Sequence, residues 1–132
     1  MDDKKPLMVG GQAVLEGVAF GVRDMLEAAR AAGCDVQTSR ICGGGAKSLL
    51  WQRIVANVCN LTLEVPECEE GPGMGAAMLA MTGCGAYANV SETASKIVRT
   101  KGTITPDPSI VQRYEEKYRT YTKLYPALKD IF

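Results

Sequence analysis

Apolar residues recur at three- and four-residue spacing over residues 12–32. Val14, Leu15, Val18, Phe20, Val22, Met25, Leu26 and Ala29 fall on this pattern, which predicts a long amphipathic helix. Gly33 follows the last periodic position and predicts its C-terminal cap, because glycine enters the left-handed conformation without a Cβ penalty. Residues 1–11 lie outside the pattern and read as disordered or as the scar of a truncation. Gly17 and Gly21 share one face of the helix, and each lowers helix propensity by about 1 kcal/mol relative to alanine. Close approach of another backbone is the expected compensation. The other reading is a merely weakened turn.

Beyond Gly33 the pattern shortens. One strand is predicted within residues 35–42, running into a glycine cluster. A helix follows over residues 48–58, with Leu50, Ile54, Val55 and Val58 facing inward. Residues 61–65 predict a second strand, stopped by Pro66. Residues 66–73 form a loop rich in proline, glycine and glutamate. A third helix, dense in small residues, is predicted over 73–86 and a short one over 91–98. The last helix, over 109–125, is lined by Val111, Tyr114, Tyr118, Tyr121 and Leu124. Strands alternating with helices predict an α/β layer with parallel strands and flanking helices. Two strands are few for a sheet with this many helices, so the sheet reads as incomplete.

Composition narrows the function. The chain has 132 residues, enough for one domain, and its 15 basic and 15 acidic residues balance. No basic cluster points to nucleic acid. No apolar run is long enough to cross a membrane. Histidine is absent, and the five cysteines contain no CxxC pair, so zinc-ligand spacing is missing and free thiols in a reducing compartment are expected. The protein reads as cytoplasmic, and no metal ligand set is assigned.

The chemistry concentrates at Gly43, Gly44, Gly45, Ala46, Lys47 and Ser48, between the first strand and the second helix. Glycines let the backbone approach a ligand, and the helix start offers unpaired N–H groups and the positive end of its dipole. An anion or a nucleotide suits such a turn. Ser48 either caps the helix or meets a ribose or base atom, and Lys47 either reaches a phosphate or points to water. Lysine does not directly follow a glycine here, so this is not a P-loop, and the glycines do not fit the dinucleotide fingerprint. On the loop alone, a tight turn with no ligand competes with nucleotide binding.

Four ordered blocks add to this reading. They are the glycine loop with Leu49, Leu50, Trp51, Ile54 and Ala56; the helix with Glu16, Gly17, Phe20, Gly21 and Arg23; Glu70 with Gly73, Met74, Gly75 and Ala76; and a tail with Tyr118, Leu124, Tyr125, Pro126 and Lys129. Together they resemble the carbohydrate kinases related to glycerol and xylulose kinases, and the tail resembles the xylulose branch. The resemblance covers about residues 12–129. It implies an incomplete actin-like ATPase, ribonuclease-H-like domain, with residues 12–132 forming the C-terminal part of the second, nucleotide-binding domain of a sugar kinase.

The resemblance also implies ATP and Mg2+ as cofactors, and a whole enzyme that phosphorylates a sugar, D-xylulose to xylulose 5-phosphate. It places Gly44 and Gly45 against the nucleotide, with Ala46 and Ser48 framing it and Gly43 permitting the turn. Leu49 lines the adenine pocket or joins the core, and Trp51 reads as core. Two positions depart from the relatives: Asn57 stands where they commonly carry aspartate, and Arg53 where glutamine is common.

The aspartate base, first phosphate loop and sugar site of that family belong to a first domain that has no counterpart here. Glu16 lies inside a helix, and Glu67, Glu69 and Glu70 read as a solvated loop cluster. No residue is assigned a catalytic role, and the chain is expected to be inactive alone. ATP or ADP is the expected partner, with sugar bound only alongside the first domain. The first strand is expected to have a bare apolar edge, so a homodimer through that edge or through the Gly17/Gly21 face is expected. The alternative is a nucleotide-binding or structural module without chemistry.

Overall fold

The computed structural model of the chain describes residues 4–68 and 71–131, with side chains described from Gly10 onward. Glu69 and Glu70, which figure in the sequence reading, lie outside the described residues. The first helix, α1, runs Lys4–Ala31 and so begins before the predicted start at residue 12. Pro6 does not prevent this, because a first-turn N–H has no intrahelical acceptor to lose. Gly33 closes the helix as predicted, with φ +90°, its own N–H bonded to Arg30 O at 2.9 Å and Cys34 N–H bonded to Ala29 O at 3.0 Å.

The remaining elements follow in order: β1 (Thr38–Arg40), a 3-10 turn (Gly44–Lys47), α2 (Leu49–Cys59), β2 (Thr62–Pro66), α3 (Gly71–Gly83), α4 (Val90–Ile97), β3 (Thr100–Ile104), α5 (Pro108–Tyr121) and α6 (Leu124–Leu128), with a closing 3-10 turn at Lys129–Ile131. β3 has no counterpart in the sequence reading, and the single last helix is two helices. Gly102 in the middle of β3 obscures its pattern, since glycine supplies no side chain to an alternation.

The sheet order is β1-β2-β3. β1 and β2 pair in parallel, with Thr38 opposite Thr62 and Arg40 opposite Glu64. β3 pairs antiparallel with β2, so the sheet is mixed where only parallel strands were expected. β1 stands at one edge, and Thr38, Ser39 and Arg40 are all exposed. That edge is polar, against the expectation of an apolar one.

The core lies between β2, α2, α1 and α5. Ile54, Val55, Ala56 and Val58 from α2 meet Leu61 and Leu63, while Ala19 and Phe20 of α1 and Tyr114 of α5 close the far side. Phe20 sits among three tyrosines, edge-on to Tyr114 at 6.1 Å and tilted against Tyr121 at 5.3 Å between ring centroids. Val14, Val18 and Met25 belong to the helical pattern but face outward. The predicted backbone approach at Gly17 and Gly21 is not made among the described residues. A Cβ at Gly17 would meet nothing within 4 Å, and one at Gly21 only the Tyr121 hydroxyl at 3.8 Å. α3 buries none of its residues and packs on α4, where the buried Thr93 hydroxyl meets that of Thr82 at 2.9 Å.

Candidate functional site

The turn between β1 and α2 is built from the glycines upward. Gly43 has φ +83°, a conformation that favours glycine, and it reverses the chain after Cys42. A single 3-10 turn follows, closed by Ala46 N–H to Gly43 O at 3.0 Å and Ser48 N–H to Gly45 O at 3.1 Å. Ser48 then caps α2, its Oγ accepting from Trp51 N–H at 3.3 Å. Of the two roles open to Ser48, capping is the one the geometry realises, and the hydroxyl keeps its own proton to donate.

Three contacts hold the turn from beneath. Ala46 is buried and anchors the turn in the protein. Its carbonyl accepts from Gln52 Nε2 at 2.5 Å, a buried bond that reaches back from the second turn of α2. The Trp51 indole lies against Gly45, at 3.0 Å from where a Cβ would stand, and also packs on the core. Gln52 escaped the sequence reading. The available signal was a polar residue among Leu49, Leu50, Trp51, Ile54 and Val55, on a helix otherwise predicted to be apolar inward.

The structure brings the six expected site residues together in one continuous surface element, in three different settings. Gly43, Gly44 and Gly45 are exposed, and no atom lies within 4 Å of a Cβ position at Gly43 or Gly44. Ala46 offers only backbone. Ser48 is exposed but engaged, and Leu49 is half exposed at 49 %. At the start of α2, the Trp51 and Gln52 N–H groups are taken up by Ser48, through its Oγ and its carbonyl at 3.3 and 3.0 Å.

Two described carboxylates are held in pairs away from the turn. Glu16 is held between α1 and α5, accepting from Tyr114 Oη at 2.9 Å, Lys117 Nζ at 3.0 Å and Gln12 Nε2 at 2.8 Å. Glu64 pairs with Arg40 across the β1–β2 ladder at 2.9 Å. Among the described residues, no three histidine, cysteine, aspartate or glutamate side chains gather as a metal would require. No described helix is long and apolar enough to cross a membrane.

A glycine-led turn joins a strand to a helix in an α/β layer, a geometry that suits an anionic group. The family is settled by comparison: residues 2–84 match the C-terminal domain of the FGGY family of carbohydrate kinases, and the chain belongs to that family. It is 35% identical over 120 residues to the xylulose kinase of Bacillus subtilis, covering 91% of this chain and 24% of that protein. It is 38% identical over 118 residues to the L-xylulose/3-keto-L-gulonate kinase of Escherichia coli, covering 89% and 24%. The solved xylulose kinase from Rhodospirillum rubrum superposes with a TM-score of 0.77 at 30% identity, covering 90% of this chain and 24% of that one. The fold is therefore that of the actin-like ATPases, and the chain spans about a quarter of the length of these relatives.

Proposed function

We propose that this chain supplies the nucleotide-binding part of an ATP-dependent sugar kinase, and that it does not turn over sugar by itself. Residues 12–132 correspond in this reading to the C-terminal part of the second domain. The observation that carries it is the Gly43–Ser48 turn, whose backbone is exposed above and clamped below by Gln52 and Trp51. Gly43, Gly44 and Gly45 let the nucleotide approach, Ala46 and Ser48 frame it, and Leu49 lies beside the base. ATP supplies the phosphoryl group, and Mg2+ bound with it offsets the phosphate charge.

D-xylulose, giving xylulose 5-phosphate, is the sugar this reading favours for the whole enzyme. The support is the likeness to the Bacillus subtilis xylulose kinase; the Escherichia coli relative acts on L-xylulose and 3-keto-L-gulonate. Sugar binding then needs residues outside this chain, and the protein works in the cytoplasm. Two copies would associate through the β1 edge or the Gly17/Gly21 face, which light scattering of the purified chain tests directly.

Calorimetric titration with ATP and Mg2+, with and without xylulose, tests the main proposal. The expected outcome is nucleotide binding that ignores the sugar, with no ADP formed. Sugar-dependent ATP turnover by the pure chain would overturn the claim of inactivity, and absence of any binding would overturn the assigned site. The second reading, a structural module, is favoured by the exposure of the glycines and predicts that last result.

A further inference from the structure

A cavity of about 250 Å³ opens beside the glycine turn, and Cys42 and Cys68 both line it. The sheet register explains how two cysteines distant in sequence come to share it. Arg40 stands opposite Glu64 in the parallel ladder and Ile41 N–H bonds to Glu64 O at 3.0 Å, so the chain leaves β1 alongside the end of β2. Side chains alternate across a sheet, and Arg40, Cys42, Pro66 and Cys68 all border the same cavity. Beyond Pro66 the chain bends at Glu67, and α3 begins at Gly71. A Cβ at Gly71, three residues after Cys68 in sequence, would lie 3.0 Å from Cys42 Sγ, so the start of α3 lies against the Cys42 thiol. Both cysteines are free and exposed, as are Cys34 and Cys84, whereas Cys59 is buried and its thiol is pushed up to about 11 by that burial.

We propose that Cys42 and Cys68 form a redox-sensitive thiol pair, a modification site that hydrogen peroxide closes to an intrachain disulfide. One thiolate attacks the peroxide O–O bond, forming a sulfenic acid and, after proton transfer, water. The second thiol then attacks that sulfur. The S–O bond breaks, the S–S bond forms, and a second water leaves with the remaining thiol proton. Two thiols and one peroxide thus give one disulfide and two waters. The bridge ties Cys42, the residue before Gly43, to Cys68, two residues past the end of β2.

The test treats the folded chain with hydrogen peroxide, alkylates remaining thiols, and maps peptides without reductant. Trypsin combined with a glutamate-specific protease separates Cys42, Cys59, Cys68 and Cys84 onto different peptides. The expected result is a Cys42–Cys68 linked peptide as the main disulfide, with Cys34 and Cys84 still open to alkylation. The preference should vanish when peroxide is added in denaturant. Cys42→Ser should abolish the product and leave Cys68 as a sulfenic acid trapped by dimedone, and Cys68→Ser should do the converse. Independent oxidation of the two cysteines, pairing with other partners, or equal pairing in denaturant would each overturn the proposal. The native-chain peptide map decides the matter even where a serine variant fails to fold.

Discussion

Gly45 lies against the indole of Trp51, so close that a β-carbon there would stand 3.0 Å from both Cδ1 and Nε1. The glycine is needed for space, since its φ is not in the left-handed region that Gly43 occupies. Gly45→Val must therefore displace the indole from its place beside the core. Overpacking of this kind costs about 1–3 kcal/mol. Urea denaturation should show that loss, and ATP affinity should fall with it. Trp51→Ala in the same chain removes the clash, so the double variant should be less damaged than the two single losses added together. Additive losses would mean that the indole does not set the requirement for glycine.

Gln52 makes a different prediction, because it is buried and has a single described partner, the Ala46 carbonyl. Gln52→Leu keeps the bulk and strands that carbonyl. An unsatisfied buried acceptor costs about 1–3 kcal/mol, which chemical denaturation should register. That leaves the turn held from below by Ala46 burial and the Trp51 indole alone, so amide exchange should quicken at Ala46 and Ser48, the two residues whose N–H groups close it. Unchanged exchange at both would show that the turn is set by Gly43 and the Ser48 cap alone.

How much of this was legible in the sequence depended on which force fixed each element. α1, α2, β2 and α5 were readable because burial against one core imposes a period on their residues. Gly33 and the glycine turn were readable because positive φ leaves a residue-type signature. β3 was not, since Thr100, Lys101, Gly102 and Thr103 are all exposed and nothing selects an alternation. The outward face of Val14, Val18 and Met25 was misread for the opposite reason: apolar spacing marks a face without saying whether anything covers it. At the site, the backbone elements Gly43 to Ser48 were found from composition. Trp51 was read as core and packs there; the Gln52 support needed coordinates, because a polar side chain that satisfies a carbonyl six residues away has no local pattern.

Asn57 joins α2 to the start of α5. Its Nδ2 donates to Arg53 O at 2.8 Å, and its Oδ1 accepts from Asp107 N–H at 2.7 Å. An ionised carboxylate, which only accepts, cannot do both. Asn57→Asp keeps the acceptor and, when ionised, loses the donor. It also buries a negative charge close to the Asp107 backbone, on a residue whose own carboxyl is held low by bonds from the Ser109 hydroxyl and N–H. The expected loss is about 1–3 kcal/mol at neutral pH, read by urea denaturation. It should shrink in acid, where a protonated aspartate regains a donor. A loss independent of pH would assign the effect to packing instead.

The α1–α5 contact carries an acid-side dependence. Burial works to raise the Glu16 carboxyl, but hydrogen bonds from Lys117, Gln12 and Tyr114 outweigh it and hold the group below its ordinary 4.5. Glu115 is also held low, chiefly by the hydrogen bond from Arg23. A carboxylate whose value is lower in the folded state stabilises the fold above its unfolded value, and that contribution disappears as pH falls through the folded one. Unfolding midpoints in urea should therefore decline below about pH 4.5. Glu16→Gln should start from lower stability at pH 7 and show a shallower acid decline. Tyr114, which donates to Glu16, is pushed up to about 12, first by burial and then by that bond. Its contribution is present below the unfolded value of 10 and is lost as pH rises through the folded one. Tyr114→Phe should remove that alkaline loss, and because it also removes one of the bonds holding Glu16 low, it should soften the acid decline as well. An acid profile identical in the native chain and in Glu16→Gln would remove Glu16 as its cause.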